Sequence, residues 1–122
     1  MKTIGIVGSR RRNEQADFTA CWNAFLTIYE DGDRIVSGGC PSGGDRFAEI
    51  IAAKFGLTVE NGGLIIHEAL WKQYGKQAGF IRNTDIARDA DVLIAVVAAD
   101  RRGGTEDTIR KVMTLRKNVI IV

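Results

Sequence analysis

The sequence predicts an α/β domain with a mostly parallel sheet, and three observations carry that prediction. Short, continuous apolar runs alternate with segments of helical periodicity along the whole chain, in the order βαβαβαβαβ. Those runs are apolar at consecutive positions, as strands covered on both faces require. The connections are short and rich in glycine, which suits right-handed crossovers that set helices on both faces of the sheet as a three-layer sandwich of about five strands. With 122 residues and 45% hydrophobic content the chain fits one domain, residues 1–122, and two would be cramped.

Ile4–Val7 is the first apolar strand, and Gly8-Ser9-Arg10-Arg11-Arg12 leaves it. From Asn13 to about Tyr29, apolar residues from Phe18 through Trp22 and Phe25 to Tyr29 recur at helical spacing. That pattern predicts an amphipathic helix with Asn13 as its N-cap. Asp31-Gly32-Asp33 stops it, and Arg34-Ile35-Val36 is the second strand. The turn Ser37–Arg46, SGGCPSGGDR, leads into a helix carrying Phe47, Ile50, Ile51 and Phe55 at helical spacing. Residues 57–67 leave two options. Either Leu57–Val59 and Leu64–His67 are both strands around Asn61-Gly62-Gly63, or Leu64–His67 is the third strand alone.

Trp71 and Tyr74 fall in a polar loop or short helix, and Ile81, Ile86, Ala87 and Ala90 predict a helix from about Phe80 to Ala90. Arg82 then begins that helix, where a cation opposes the dipole. Val92–Ala99, the most hydrophobic run, is the expected central strand. Asp100–Thr105 turns into a last helix with Ile109, Val112, Met113 and Arg116 at helical spacing and Thr105 as N-cap. Asn118 is expected to end it, and Val119–Val122 to close the chain as a strand.

Composition narrows the function. With 17 basic and 15 acidic residues, and a net charge of +2, a broad cationic surface for non-specific nucleic-acid binding is not expected. No apolar run is long enough to cross a membrane, and the chain enters MKTIGIVGS without the pattern of a signal peptide. Cys21 and Cys40 lie in different kinds of element and read as the reduced thiols of a cytoplasmic protein. One histidine and no paired cysteines argue against a zinc site, and neither a metal nor a cofactor is expected. A lone His67 and a lone Cys40 do not define a nucleophilic pair.

Ligands of open parallel sheets bind beyond the carboxyl ends of the strands. The turns GSRRR, SGGCPSGGDR and ADRRGGTEDT leave the first, second and fourth strands, so all three should meet on one rim. Expected ligand contacts there are Gly8, Ser9 and Arg10; Ser37, Gly38, Gly39, Gly43 and Gly44; and Gly103, Gly104 and Thr105. Such a rim, rich in N–H donors and arginine, suits a phosphorylated, nucleotide-like molecule. Neither a Walker loop nor GxGxxG is present. Of the three arginines Arg10–Arg12, only Arg10 is expected to face the ligand. Asp45 reads equally as a complement to the helix dipole or as an acceptor for ribose hydroxyls. Trp71 and Tyr74 either stack on a base or cover the sheet edge.

These segments together resemble the SLOG superfamily, and within it the small YspA/YpsA-related proteins of bacteria and phages. The resemblance spans nearly the whole chain. It rests on GSR at Gly8–Arg10, SGG and GGD within Ser37–Asp45, HEALWKQYGKQAGFIRN at His67–Asn83, ADVLIAV at Ala90–Val96 and GGT at Gly103–Thr105. It implies a Rossmann-like sheet, often dimeric, that binds nucleotides or nucleotide-derived molecules such as ADP-ribose, with Arg82 and Asn83 in the site. In the lonely-guy phosphoribohydrolases of the superfamily, an arginine and a glutamate cleave the N-glycosidic bond of a nucleoside monophosphate. Arg82 matches that arginine. The glutamate's place falls on Thr108, with Glu106 and Asp107 nearby but out of register, and Arg101-Arg102 stand where the enzymes' first glycine pair would be.

The expectation is therefore a binding domain: a sensor, carrier or sequestering protein for a nucleotide-like ligand. The alternative is a phosphoribohydrolase-like N-glycosidase using Arg82 with Asp45, Glu106 or Asp107, since an oxocarbenium-like state needs a nearby carboxylate. A third reading makes the glycine turns purely structural, in an assembly module. DNA binding through Arg10–Arg12 and Arg101-Arg102 runs against the near-neutral charge. The aromatic helix Phe18–Tyr29 carries more apolar bulk than one face of a small sheet uses, so an exposed remainder and a homodimer are expected.

Overall fold

A computed structural model describes all 122 residues, Met1–Val122. Five strands, β1 (Thr3–Gly8), β2 (Arg34–Ser37), β3 (Leu64–Ile66), β4 (Val92–Val96) and β5 (Asn118–Ile121), form one sheet in the order β3-β2-β1-β4-β5. Every pairing is parallel. The helices are α1 (Gln15–Ile28), α2 (Gly44–Lys54), the single turn α3 (Trp71–Tyr74), α4 (Ala78–Asp89) and α5 (Gly104–Thr114), with a 3-10 turn at Gly75–Gln77. This is a Rossmann-like α/β domain, as the alternation predicted.

Consecutive strand residues serve opposite cores, which is why the strands read as unbroken apolar runs. Ile4 and Ile6 of β1, Ile35 of β2 and Ile94 and Val96 of β4 face α1 and α2, meeting Cys21, Phe25, Phe47 and Ile51. Val7, Val36, Leu93 and Ala95 face α4 and α5, meeting Ile86, Ala87, Ile109 and Val112. The aromatic bulk of α1 is absorbed on the first of these faces. Phe18 meets Phe47 edge-on at 5.5 Å, and Phe55 lies against Trp22, Phe25 and Tyr29 at 5.9, 5.4 and 4.5 Å between centroids. Only Leu26 of that stripe stays well exposed, so the expected apolar remainder on α1 is one side chain. Both cysteines are free, and burial pushes the Cys21 thiol up to about 12.

The element ends differ from the sequence reading for local reasons. Asn13 does not cap α1; Glu14 does, through a reciprocal capping box with Asp17. The Asn13 carboxamide oxygen instead accepts from Gly43 N and Arg46 Nε, both at 2.8 Å, and ties the β1 exit to α2. Leu57–Val59 is not a strand, because Thr58 and Asn61 close a turn on each other with two 3.0 Å bonds. The strand at Leu64 stands alone. α4 begins at Ala78, which places Arg82 in its second turn and removes the conflict with the dipole. β4 ends at Val96, not Ala99.

Thr105 is not an N-cap: Gly103 occupies that position and Thr105 is already helical. The last helix ends at Thr114, so Arg116 lies beyond it and Asn118 begins β5. Arg116 takes φ 59°, with Arg116 N bonded to Met113 O and Lys117 N to Val112 O, a Schellman closure with arginine in the usual glycine place.

Candidate functional site

The loops leaving β1, β2 and β4 meet on one rim, where they line a cavity of about 880 Å³ together with residues from Glu68 to Ile86. That volume is in the range of small-molecule sites. From the β1 loop come Gly8, Ser9, Arg10 and also Arg11; from the β2 loop Gly38, Gly39, Cys40 and Asp45; from the β4 loop Arg102, Gly103, Gly104 and Thr105.

The two Gly-Gly pairs do different jobs. A Cβ on Gly44 would collide with the backbone of Val7 and Gly8, and one on Gly43 with the Ser9 carbonyl. Gly43 N–H is taken by Asn13. These glycines let the first turn of α2 press against the β1 exit, and neither they nor Ser37 line the cavity. Ser37 is fully buried, its hydroxyl bonded to Ile6 O at 2.6 Å. The pair before α5 is open: nothing lies within 4 Å of a Cβ built on Gly103, and only Asn83 Nδ2, at 3.9 Å, approaches Gly104. The N–H groups of Gly103, Gly104 and Thr105 make no hydrogen bond within the chain. The first turn of α2 is closed by the β1 backbone packed against it, whereas the first turn of α5 opens to the cavity.

Arg82 reaches the rim from α4. Its Nε donates to Asn83 Oδ1 at 2.9 Å and its Nη1 to Gly38 O at 3.3 Å. A Cβ on Gly38 would sit 2.8 Å from both Arg82 Nη1 and Asp45 Oδ2, so glycine there lets guanidinium and carboxyl close over the backbone. Asp45 is buried; Oδ2 accepts from Cys40 N at 3.1 Å, and Oδ1 lies 3.0 Å from Ser37 Oγ. The Ser37 hydroxyl thus lies between the Ile6 carbonyl and the Asp45 carboxyl. Burial pushes the Asp45 carboxyl above its ordinary value, against the opposing pull of Cys40 N–H, Ser37 and Arg82.

The other two carboxylates considered for catalysis are elsewhere. Glu106 is held by Arg101 in a two-point ion pair at 2.8 and 3.0 Å. Asp107 is buried, bonded to Asn83 Nδ2 at 3.1 Å and Lys111 Nζ at 2.7 Å. Neither lines the cavity, whereas Thr108 does. Asn83 lines it, but its amide is spent on Arg82, Gly104 O and Asp107, so it positions Arg82 and α5. Trp71 lies at the cavity and is 58% exposed, while Tyr74 does not line it.

The basic turn also divides. Arg11 joins the cavity wall but is paired with Asp100 through both guanidinium nitrogens at 3.0 and 2.8 Å. Arg12 is withdrawn as a clamp, Nε to Asp17 and Nη1 to the carbonyls of Val97 and Val122. With Arg101 on Glu106, most of the arginines considered for DNA contact are already engaged. His67 bonds Asp89 Oδ2 at 2.5 Å and makes no hydrogen bond to Cys40.

Sequence reading missed Lys76, Arg102, Glu68 and Thr108 as cavity residues. Lys76 and Glu68 carried a signal, since both fall inside the HEALWKQYGKQAGFIRN block. Arg10, Lys76, Arg82 and Arg102 line the cavity without forming an ion pair, against the two carboxyls Asp45 and Glu68. Comparison with protein-family models, with curated proteins and with solved structures finds no match for this chain. No helix is long and apolar enough to cross a membrane.

Proposed function

We propose that this chain binds a nucleotide or nucleotide-derived ligand, a nucleoside phosphate or an ADP-ribose-like molecule, at the C-terminal edge of the sheet, as a sensor, carrier or sequestering protein. One observation carries the reading: three unpartnered N–H groups at the start of α5 open into the same cavity as four cations, Arg82 beside the buried Asp45 among them, that form no ion pair. A phosphate supplies the acceptors and the charge that this arrangement lacks. The resemblance to the SLOG superfamily points the same way. Self-association as a dimer belongs to the same reading, and size-exclusion chromatography with light scattering decides it.

Hydrolysis of an N-glycosidic bond is the second reading, and Asp45 beside Arg82 is the observation that favours it. With Thr108 in the glutamate's place and Glu106 and Asp107 tied up, Asp45 is the one carboxyl of the three at the cavity. Incubation with a panel of nucleotides separates the readings: thermal stabilisation without turnover means a binder, and release of free base means an enzyme. Arg82→Ala is expected to abolish the ligand-induced rise in Tm. Lys117→Ala is expected to keep it, because Lys117 caps the carbonyls of Ala87 and Arg88 away from the cavity. A panel that shifts neither protein overturns the reading.

A further inference from the structure

We propose that Glu68 selects the base of the bound nucleotide, and that its carboxylate favours guanine over adenine; this rests on the nucleotide-binding reading above. The cavity is polarised along the strand order. The open α5 turn follows β4, whereas Glu68 follows β3, three places along the order β3-β2-β1-β4. At the spacing of neighbouring strands this separates the two poles by about 14 Å. An extended nucleoside monophosphate spans such a distance with its phosphate at α5, its ribose over Asp45 and Arg82, and its base beside Glu68.

The far pole has the parts of a base site. Trp71, on the short helix after Glu68, lines the cavity and is 58% exposed. Its indole rests on α4, since a Cβ on Gly79 would lie 3.3 Å from it, so a stacking face is held in place. Glu68 is exposed and makes no hydrogen bond or ion pair within the chain, although it lines a cavity rich in cations. Its stem lies over the β2 loop, where a Cβ on Gly39 would be 3.3 Å from Glu68 Cγ. A free carboxylate there offers acceptors only. The Watson–Crick edge of guanine presents two adjacent N–H donors, which match the two carboxylate oxygens. The same edge of adenine places an acceptor nitrogen beside its amine, so a carboxylate bonds one group and repels the other.

The test measures affinities of GMP, IMP and AMP by calorimetry, keeping the phosphate and sugar constant. The wild-type protein is expected to bind GMP roughly tenfold or more tighter than AMP, the usual scale of a two-point base contact, with IMP between them. Glu68→Gln, which presents one acceptor and one donor, is expected to reverse the order in favour of AMP. Glu68→Ala is expected to bind all three alike. Because Glu68 is exposed and unbonded, an unchanged Tm certifies the fold of both variants. Equal affinities in the wild type, or a guanine preference that survives in Glu68→Ala, overturn the assignment and leave nucleotide binding standing. Failure of all three to bind overturns both.

Discussion

Replacing Asp45 with asparagine distinguishes a protonated carboxyl from an ionised one beside Arg82. The folded-state pKa of Asp45 is raised by burial, so the native chain keeps this proton over a pH interval in which the unfolded chain, near 4, has released it. The native state binds more protons there, and wild-type stability attributable to Asp45 falls as pH rises through the interval. Asparagine copies the protonated form: Nδ2 donates to Ser37 Oγ where the carboxyl proton would, and Oδ1 accepts from Cys40 N. Asp45→Asn is therefore expected within about 1 kcal/mol of wild type below pH 4, and more stable than wild type at pH 7. Asp45→Ala strands the Cys40 N–H, while Ser37 keeps its bond to Ile6 O, and is expected to cost about 1–3 kcal/mol near pH 4 and less as pH rises. Urea unfolding of the three proteins across pH 3.5–7, a span of about the carboxylate range and above it, reads these differences directly. If wild type instead gains on Asp45→Asn as pH rises, the Arg82 charge outweighs burial and the assignment of the proton is wrong.

Two other substitutions probe the backbone. Gly44→Ala drives a methyl group into the backbone of Val7 and Gly8 and is expected to cost about 3 kcal/mol or more, or to prevent folding; a loss below 1 kcal/mol in the same unfolding assay, roughly the level of an ordinary surface change, contradicts the packing described. Arg116→Gly relieves a left-handed residue at the end of α5 and is expected to stabilise by roughly 0.5–1 kcal/mol, seen as a higher Tm.

The sheet was readable in the sequence because each strand is buried on both faces and each long helix on one. The runs Ile4–Val7 and Val92–Val96 and the stripe from Phe18 to Tyr29 report that directly. Boundaries were less legible where side chains chose among backbone partners. Asn13 has the chemistry of a cap but serves Gly43 and Arg46 across the fold, and Arg116 accepts a conformation that sequence rules reserve for glycine. The rim itself was legible from three glycine turns at alternate connections. What those turns face was not: a missing Cβ at Gly44 admits protein backbone, while one at Gly103 opens to solvent, and composition is the same for both. The neighbours Glu106 and Asp107 met different fates because Arg101 lies beside one and Lys111 one turn from the other. Glu68 and Lys76 reach the cavity only once α3 folds back against α4.

The two tryptophans lie in unlike surroundings, Trp22 half-buried against Phe18, Phe25 and Phe55, and Trp71 mostly in water at the cavity mouth. The molecule thus carries two intrinsic fluorophores with separate duties. Emission from Trp22 follows loss of the native core, and under the nucleotide-binding proposal quenching of Trp71 is expected to follow an arriving base. A Trp71→Phe protein, silent at the mouth yet still reporting on unfolding, isolates the Trp22 signal, so the two contributions to wild-type emission can be told apart without attaching a dye.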